Sequence, residues 1–422
     1  LRDMLFQFDQ FCIELAQMPV WMLMKHIPTA VFVFCFGACV GSFLNVVIYR
    51  LPAGMSVVSP PSRCPTCGAR LKFFRENLPI LGWLMVKGKC RYCGVKISSQ
   101  YMLVEALMGL VFVGMYGLLY VVSPLTVWWG GIGGFWWHSN GFLPTMPAFF
   151  TLVFLMAGLV AMTVIDARTF TIPIQIPLFV TVVAFLAYPV QGLMPLRMTM
   201  EEPWVIPAGM SWLSFAMVMG GMLGILGATM LLRLGVMKYS FADYHEYVKE
   251  DETLGDYPHG RREMGVELKF LLPCFLGLAV GWGVGRFLPG SAPPVWVQGL
   301  GGSVLGYLVG GGLVWAVRIL GTLGFGREAM GMGDVHLLAA VGAVLGWFDP
   351  ILIFFLAPFS GLFWHVLSKG LSSIFSSERR ELPYGPHLAM ATITVILMRP
   401  GVEMVWVALF QQIPMPSPGI LP

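Results

Sequence analysis

Long uncharged apolar runs, separated by short polar connections, dominate the 422-residue chain. Such runs lie near 29–49, 101–122, 148–165, 173–192, 208–232, 269–287, 299–320, 350–368 and 386–411, with a shorter helical segment near 334–347. A helix of roughly 17 to 25 apolar residues crosses a hydrocarbon core about 30 Å thick, and only structures that satisfy their own backbone hydrogen bonds can do so. The pattern therefore predicts an all-α polytopic transmembrane helix bundle of about ten spans embedded in a lipid bilayer. Residues 1–28 read as an amphipathic N-terminal segment: Arg2, Asp3, Asp9, Glu14 and Lys25 interrupt any apolar core and no small-residue cleavage site follows, so the stretch does not read as a cleaved signal peptide.

Charge placement sets the expected orientation. Between the first two spans, Arg50, Arg63, Arg70, Lys72, Arg75, Lys87, Lys89, Arg91 and Lys96 face Glu76 alone, and the positive-inside rule puts the 50–100 loop in the cytosol. Counting crossings from there places 166–172, 233–268, 321–333 and 369–385 inside. The segments 123–147, 193–207 and 288–298 then fall outside, where Trp128, Trp129, Trp136, Trp137, Trp204 and Trp296 read as interfacial aromatics. The stretch 238–268 is the most polar of the chain and reads as a solvated loop, without the tight His/Glu spacing of a metal site. The glycine run Gly310 to Gly312 reads as close helix packing, not a phosphate cradle.

Composition agrees with this picture. The chain is 57% hydrophobic and 11% charged, against roughly 25% charged in an ordinary soluble domain, and its mean hydropathy is +0.76. A net charge of +4 with no basic, aromatic-interleaved stripe points away from nucleic acid.

Four of the eight cysteines form two hooks, Cys64-Pro-Thr-Cys67 and Cys90-Arg-Tyr-Cys93, each followed by a glycine, Gly68 and Gly94. Two thiolates in one tight turn take two corners of a tetrahedron, and the second hook completes a closed four-sulfur zinc site. Disulfides or redox dithiols are the alternative, which a reducing cytosolic side disfavours. A closed site leaves no position for water, so this zinc is expected to shape the loop and not to do chemistry. Cys12, Cys35, Cys39 and Cys274 read as buried structural thiols.

Carboxylates in so apolar a chain call for an explanation. Asp166 ends the third span and Asp334 opens a helix in Gly331-Met-Gly-Asp334, both on the expected inner face. Two carboxyls sharing one proton can activate a water and protonate a leaving amine. Gly331 and Gly333 permit close approach of a substrate backbone, and a solvated end-cap role for each aspartate is the plainer alternative.

Gly41-Ser-Phe-Leu-Asn-Val-Val-Ile-Tyr-Arg-Leu-Pro52, Ser62 to Cys67, Gly88 to Cys93 with Ile97-Ser98, Gly331 to Ala340 and Pro383-Tyr-Gly-Pro-His-Leu-Ala389 together resemble the type IV prepilin peptidases, in that family's order. The resemblance implies a G-x-G-D aspartic endopeptidase of the bacterial inner membrane. Such an enzyme cuts the leader of prepilin or pseudopilin-like substrates at the cytosolic face, and many members then methylate the new N-terminus with S-adenosylmethionine. By motif, Asp166 and Asp334 become the catalytic pair and Cys64, Cys67, Cys90 and Cys93 the zinc ligands.

Ile174 follows Pro173 where the family often has an acid or asparagine. His336 stands where lysine is usual and supports the motif either as a titratable neighbour of Asp334 or as a packed helix residue. Segment 208–287 looks inserted between a 101–207 region carrying Asp166 and a 288–422 region carrying Asp334. Two other function classes remain open. An ion-coupled transporter would use the two acids but leaves the cysteine loop unexplained and would commonly show an internal repeat. A zinc-stabilised methyltransferase or assembly protein without protease activity would be favoured by a glycine-rich nucleotide fingerprint, which is not present.

Overall fold

The computed structural model of the chain describes residues 20–64, 66–123, 130–196, 210–247, 257–371, 384–399, 401–402 and 405. Among these the elements are helical: α1 (Val20–Arg50), α2 (Phe73–Glu76), α3 (Leu81–Met85), α4 (Gln100–Tyr116), α5 (Gly130–Asn140), α6 (Phe142–Thr169), α7 (Gln175–Gln191), α8 (Trp212–Arg233), α9 (Tyr244–Tyr247), α10 (Gly260–Gly285), α11 (Val295–Phe325), α12 (Met332–Leu345), α13 (Asp349–Leu371) and α14 (Tyr384–Leu397). A short π-helical turn, Gly117–Val121, extends α4. Among the described residues seven helices are long and apolar enough to cross a membrane, against the ten spans expected; at the other three expected places the helices α7, α12 and α14 are apolar but shorter.

Of the three short helices, α12 is central. Every residue of α12 from Leu337 to Leu345 is buried, enclosed by the helices around it. Its contact with α11 is backbone on backbone: a methyl group added to Gly306 would lie 1.9 Å from the Gly342 carbonyl oxygen, and one on Gly310 would lie 2.3 Å from that of Leu338. Small residues let helix axes approach where lipid offers no competing hydrophobic force, which fits the packing reading for Gly310. The same device joins α8 to α10, where Gly220 and Gly277 meet at 2.0 to 2.1 Å in this sense. Two polar side chains inside the bundle are satisfied by backbone carbonyls: Ser303 donates to that of Ala343 at 2.6 Å and Tyr188 to that of Val344 at 2.5 Å. Each removes the several-kcal/mol penalty of a bare polar group in a hydrocarbon medium.

Contacts at the helix ends agree with alternating crossings. At one end Gln191 of α7 donates to the Pro144 carbonyl at the start of α6 at 2.8 Å, and Arg399 pairs with the buried Asp349. At the other lie the cysteine loop, the α6–α7 turn and the start of α12.

Four expectations are corrected. Segment 123–147 is not simply a loop: it contains α5, and Trp136 and Trp137 are buried, at 0% and 2% exposure, instead of lying at an interface. They pack edge to face with each other, and Trp137 does so with Tyr120, an arrangement that hides more apolar area than an interfacial position does. Trp296 is exposed as expected, whereas Trp128, Trp129 and Trp204 lie outside the described residues. Cys35 and Cys39 are exposed on α1, not buried; Cys274 is buried, and Cys12 is outside the described residues. Helix α1 begins at Val20 and runs through Pro28, so the end of the expected N-terminal segment belongs to the first helix. Finally, the polar stretch 238–268 is partly an ordered, buried structure: α10 starts at Gly260, and Tyr257, Glu263 and Glu267 are buried.

Candidate active site and metal centre

The two cysteine hooks fold as matching knuckles. The Gly68 N–H donates to the Cys64 carbonyl at 2.9 Å and the Gly94 N–H to that of Cys90 at 2.8 Å, with both glycines in the left-handed region at φ 70° and 72°. A side chain would be strained there. One antiparallel bridge closes each knuckle, Arg63 with Arg70 and Lys89 with Lys96. The turns bring all four sulfurs within 4.8 Å of one another. Cys64 Sγ lies 3.8 Å from Cys93 Sγ, and Cys67 Sγ lies 3.9 Å from Cys90 Sγ.

A tetrahedron with Zn–S bonds of about 2.3 Å has S···S edges of about 3.8 Å, so the donor set fits zinc, and none of the four is in a disulfide. The backbone N–H groups of Cys67 and Thr66 pull the Cys64 thiol down to about 6. The Val95 N–H favours the Cys93 thiolate, yet burial and the three neighbouring sulfurs push that thiol up to about 12. Four adjacent thiolates repel one another unless a dication sits among them.

The loop is moored to the bundle. Glu105 on α4, buried, accepts from the Ile80 N–H at 2.6 Å, and this holds Ile80 at φ 61°, an uncommon conformation for a β-branched residue. Trp83 donates its indole N–H to the Ile97 carbonyl at 3.2 Å. Glu105 did not stand out in the sequence, where it is one acid at the head of an apolar run.

Asp166 lies in the last turn of α6, which ends at Phe170 in the left-handed conformation, its N–H bonded to the Asp166 carbonyl at 2.9 Å. Asp334 is the third residue of α12, whose N-cap is Gly331. Its carboxyl turns back to accept from the Gly331 N–H, the reach of an acidic residue at that position in a capping box. The structure brings the two aspartates together. Both are buried, at 6% and 8% exposure, and the Asp334 carboxyl feels the charge of Asp166 as well as those of Glu328 and Arg318.

Ile172, in the turn after α6, bridges them, packing on Gly333 beside Asp334 and on Gly385 beside Asp166. The Gly385 N–H donates to the Asp166 carboxylate, and a methyl group on Gly385 would fall 2.6 Å from its Oδ2. Tyr384 feels the charge of Asp334. His336 sits one turn into α12, half-buried, and Ile174 is exposed. Tyr384 and Gly385 belong to the Pro383–Ala389 block, yet nothing in that block predicts a contact with Asp166, and Pro383 is outside the described residues.

Comparison with known proteins bears on this arrangement. The model of the Bacterial Peptidase A24 N-terminal domain matches residues 35–118, which hold all four cysteines, and that of the Type IV leader peptidase family matches residues 266–366, which hold Asp334. Asp166 lies between the two. Both matches are to type IV prepilin leader peptidases, which this chain resembles. It is similar to the prepilin leader peptidase/N-methyltransferase of Myxococcus xanthus, 52% identical over 101 residues, which are 23% of this chain and 30% of that protein. Similarity to the prepilin leader peptidase/N-methyltransferase of Dickeya chrysanthemi extends over 378 residues at 26% identity, 84% of this chain and 87% of the relative. The one from Dichelobacter nodosus is 26% identical over 388 residues, 85% and 88% of the respective chains. No solved structure matches.

Gly385→Ala tests the closeness of the α14 backbone to Asp166. The added methyl must displace the carboxylate, and a misplacement of about 1 Å near a reacting centre costs on the order of 10²-fold in rate. Loss of that order in turnover, at unchanged protein abundance in membranes, is the expected result of a cleavage assay.

Proposed function

We propose that this protein is an endopeptidase that cleaves the N-terminal leader from prepilin or pseudopilin-like membrane proteins at the cytosolic face of the bacterial inner membrane, with Asp166 and Asp334 as its catalytic pair. The observation that carries the reading is the convergence of two buried carboxyls, from the end of α6 and the start of α12, beside the side-chain-free backbones of Gly333 and Gly385. One carboxylate takes a proton from water as the water oxygen attacks the scissile carbonyl. The other carboxylic acid donates its proton to the carbonyl oxygen. Collapse of the tetrahedral species breaks the C–N bond: the proton first taken from water goes to the departing amine, and a hydroxyl on the tetrahedral carbon returns its proton to the second aspartate as the new carbonyl forms, which restores the pair. Leader and mature protein leave with a new carboxylate and a new amine. The nine basic residues between Arg50 and Lys96 favour a cytosolic location for the cysteine loop and hence for this end of the bundle.

Zinc held by Cys64, Cys67, Cys90 and Cys93 would supply structure only, since a four-sulfur site has no open position. The loop it closes sits at the same end as the aspartates and is a candidate to support a second reaction. In that reaction S-adenosylmethionine would supply a methyl group to the new amine; the relatives are named N-methyltransferases as well as leader peptidases.

Purified protein incubated with a prepilin-derived peptide tests both activities in one mass spectrum. Two fragments whose masses sum to peptide plus water report cleavage, and a further gain of one methyl on the C-terminal fragment, only when S-adenosylmethionine is present, reports methylation. An intact peptide after prolonged incubation with folded protein removes the reading. An impermeant thiol reagent added to intact cells is expected to leave Cys67 and Cys93, both exposed, unmodified; strong labelling from outside would invert the orientation.

A further inference from the structure

One guanidinium joins two parts of the molecule that meet just before Asp334. Arg318, on α11, is 2% exposed, and so is in effect shut off from both water and lipid. Its Nε donates to Glu267 of α10 at 3.0 Å to Oε1 and 3.2 Å to Oε2. Its Nη1 donates to the Glu328 carboxylate and to the Met330 carbonyl, both in the segment that leads into Gly331 and Asp334. That segment has no helical hydrogen bonds of its own. Beyond Arg318 it is held by the Ala329 N–H, which donates to Thr322 Oγ1 at 3.1 Å.

Glu267 is fixed in turn by the Trp315 indole N–H at 2.8 Å, and the Arg318 guanidinium lies 5.4 Å from the centre of the Phe241 ring. Phe241 is itself tied to α10, its N–H donating to Glu263 at 2.9 Å. The α8–α10 unit therefore ends, on the side of the aspartates, in a buried charged junction that bears on the backbone four residues before Asp334. Lipid-facing helices have no need of such a junction, and a buried charge set of this kind persists only where its geometry is well determined.

We infer that Arg318 is a positioning residue: it couples α10, through Glu267, to the Glu328–Met330 backbone and so sets where the Asp334 carboxyl stands relative to Asp166. Arginine suits the task because its planar fork serves two partners in fixed directions, and lysine, a single point charge, cannot reproduce both. The inference rests on Asp334 being catalytic. It also gives the α8–α10 region, whose purpose the sequence does not reveal, a role as a strut for the active-site loop.

The test is steady-state cleavage of a prepilin-derived peptide by purified wild type, Arg318→Met, Arg318→Lys, Glu267→Gln and Asp334→Asn, with folded protein quantified by gel filtration for each. Arg318→Met is expected to lower kcat by about 10- to 100-fold with KM nearly unchanged, because a displaced carboxyl spoils the chemical step and not substrate docking. Arg318→Lys should recover part of that loss. Glu267→Gln, which leaves both Nη1 contacts in place, should lower kcat by about threefold to tenfold, and the Glu267→Gln/Arg318→Met pair should be no worse than Arg318→Met alone. If Arg318→Met does not fold, Glu267→Gln decides alone. Wild-type kcat in Glu267→Gln, or a loss confined to KM, overturns the inference while an inactive Asp334→Asn leaves the catalytic assignment standing. An active Asp334→Asn removes both.

Discussion

Asparagine at Asp166 or at Asp334 is expected to lower leader cleavage by about 10²- to 10⁴-fold, the range that a positioned acid or base contributes. Abundance in the membrane should stay near that of the wild type. The reason for that contrast is local. An asparagine oxygen at 334 can still accept from the Gly331 N–H that now binds the carboxylate, and one at 166 can still accept from Gly385, so each helix end keeps its hydrogen bond. What each variant loses is the ability to take and give a proton. Because the two carboxyls share one site, the pH dependence of turnover belongs to the pair and not to either residue. Cleavage kinetics on purified variants, set against immunodetection of the membrane fraction, check both halves of the expectation.

Cys67→Ser combined with Cys90→Ser is expected to take bound zinc from about one equivalent per chain to near zero, as a closed four-sulfur site requires. It should also make the segment between Arg63 and Lys96 readily cut by trypsin. Structural zinc contributes about 10–16 kcal/mol to small four-ligand modules, more than two isolated bridges and the Glu105 and Trp83 anchors can replace. Elemental analysis of purified protein and a timed trypsin digest measure the two outcomes. Unchanged metal content in the double variant would refute the four-cysteine assignment. A chelator that leaves the loop folded should leave cleavage intact, since no step of the chemistry passes through the metal.

The features legible in the sequence are those whose partners lie close along the chain or whose chemistry clashes with its surroundings. Ten apolar runs are visible because each helix satisfies its own backbone. The zinc cluster is visible because spacing within each hook already fixes half of a tetrahedron. Asp166 and Asp334 stand out as acids at the ends of apolar runs, and the order of the family's blocks sharpens the reading. What escaped notice depends on contacts between distant segments. Arg318 counts, in sequence, as one more basic residue at an inner helix end, and Glu267 as part of a polar loop. That they pair across 51 positions depends on how α10 leans on α11. Gly385 and Ile172 became site residues only through the approach of α14 to the α6–α7 turn. Trp136 and Trp137 depart from the expectation because a tryptophan-rich stretch between spans reads as an interfacial belt until a helix buries it.

The central claim is that the two aspartates act as one unit on one water. A double-mutant cycle in single-turnover cleavage measures that most directly, using wild type, Asp166→Asn, Asp334→Asn and the double variant on the same prepilin-derived peptide. Residues that work as a unit are strongly non-additive. The account predicts that the double variant is no slower than the slower single variant. Losses that multiply in the double variant, or a near-wild-type rate in either single one, would contradict it.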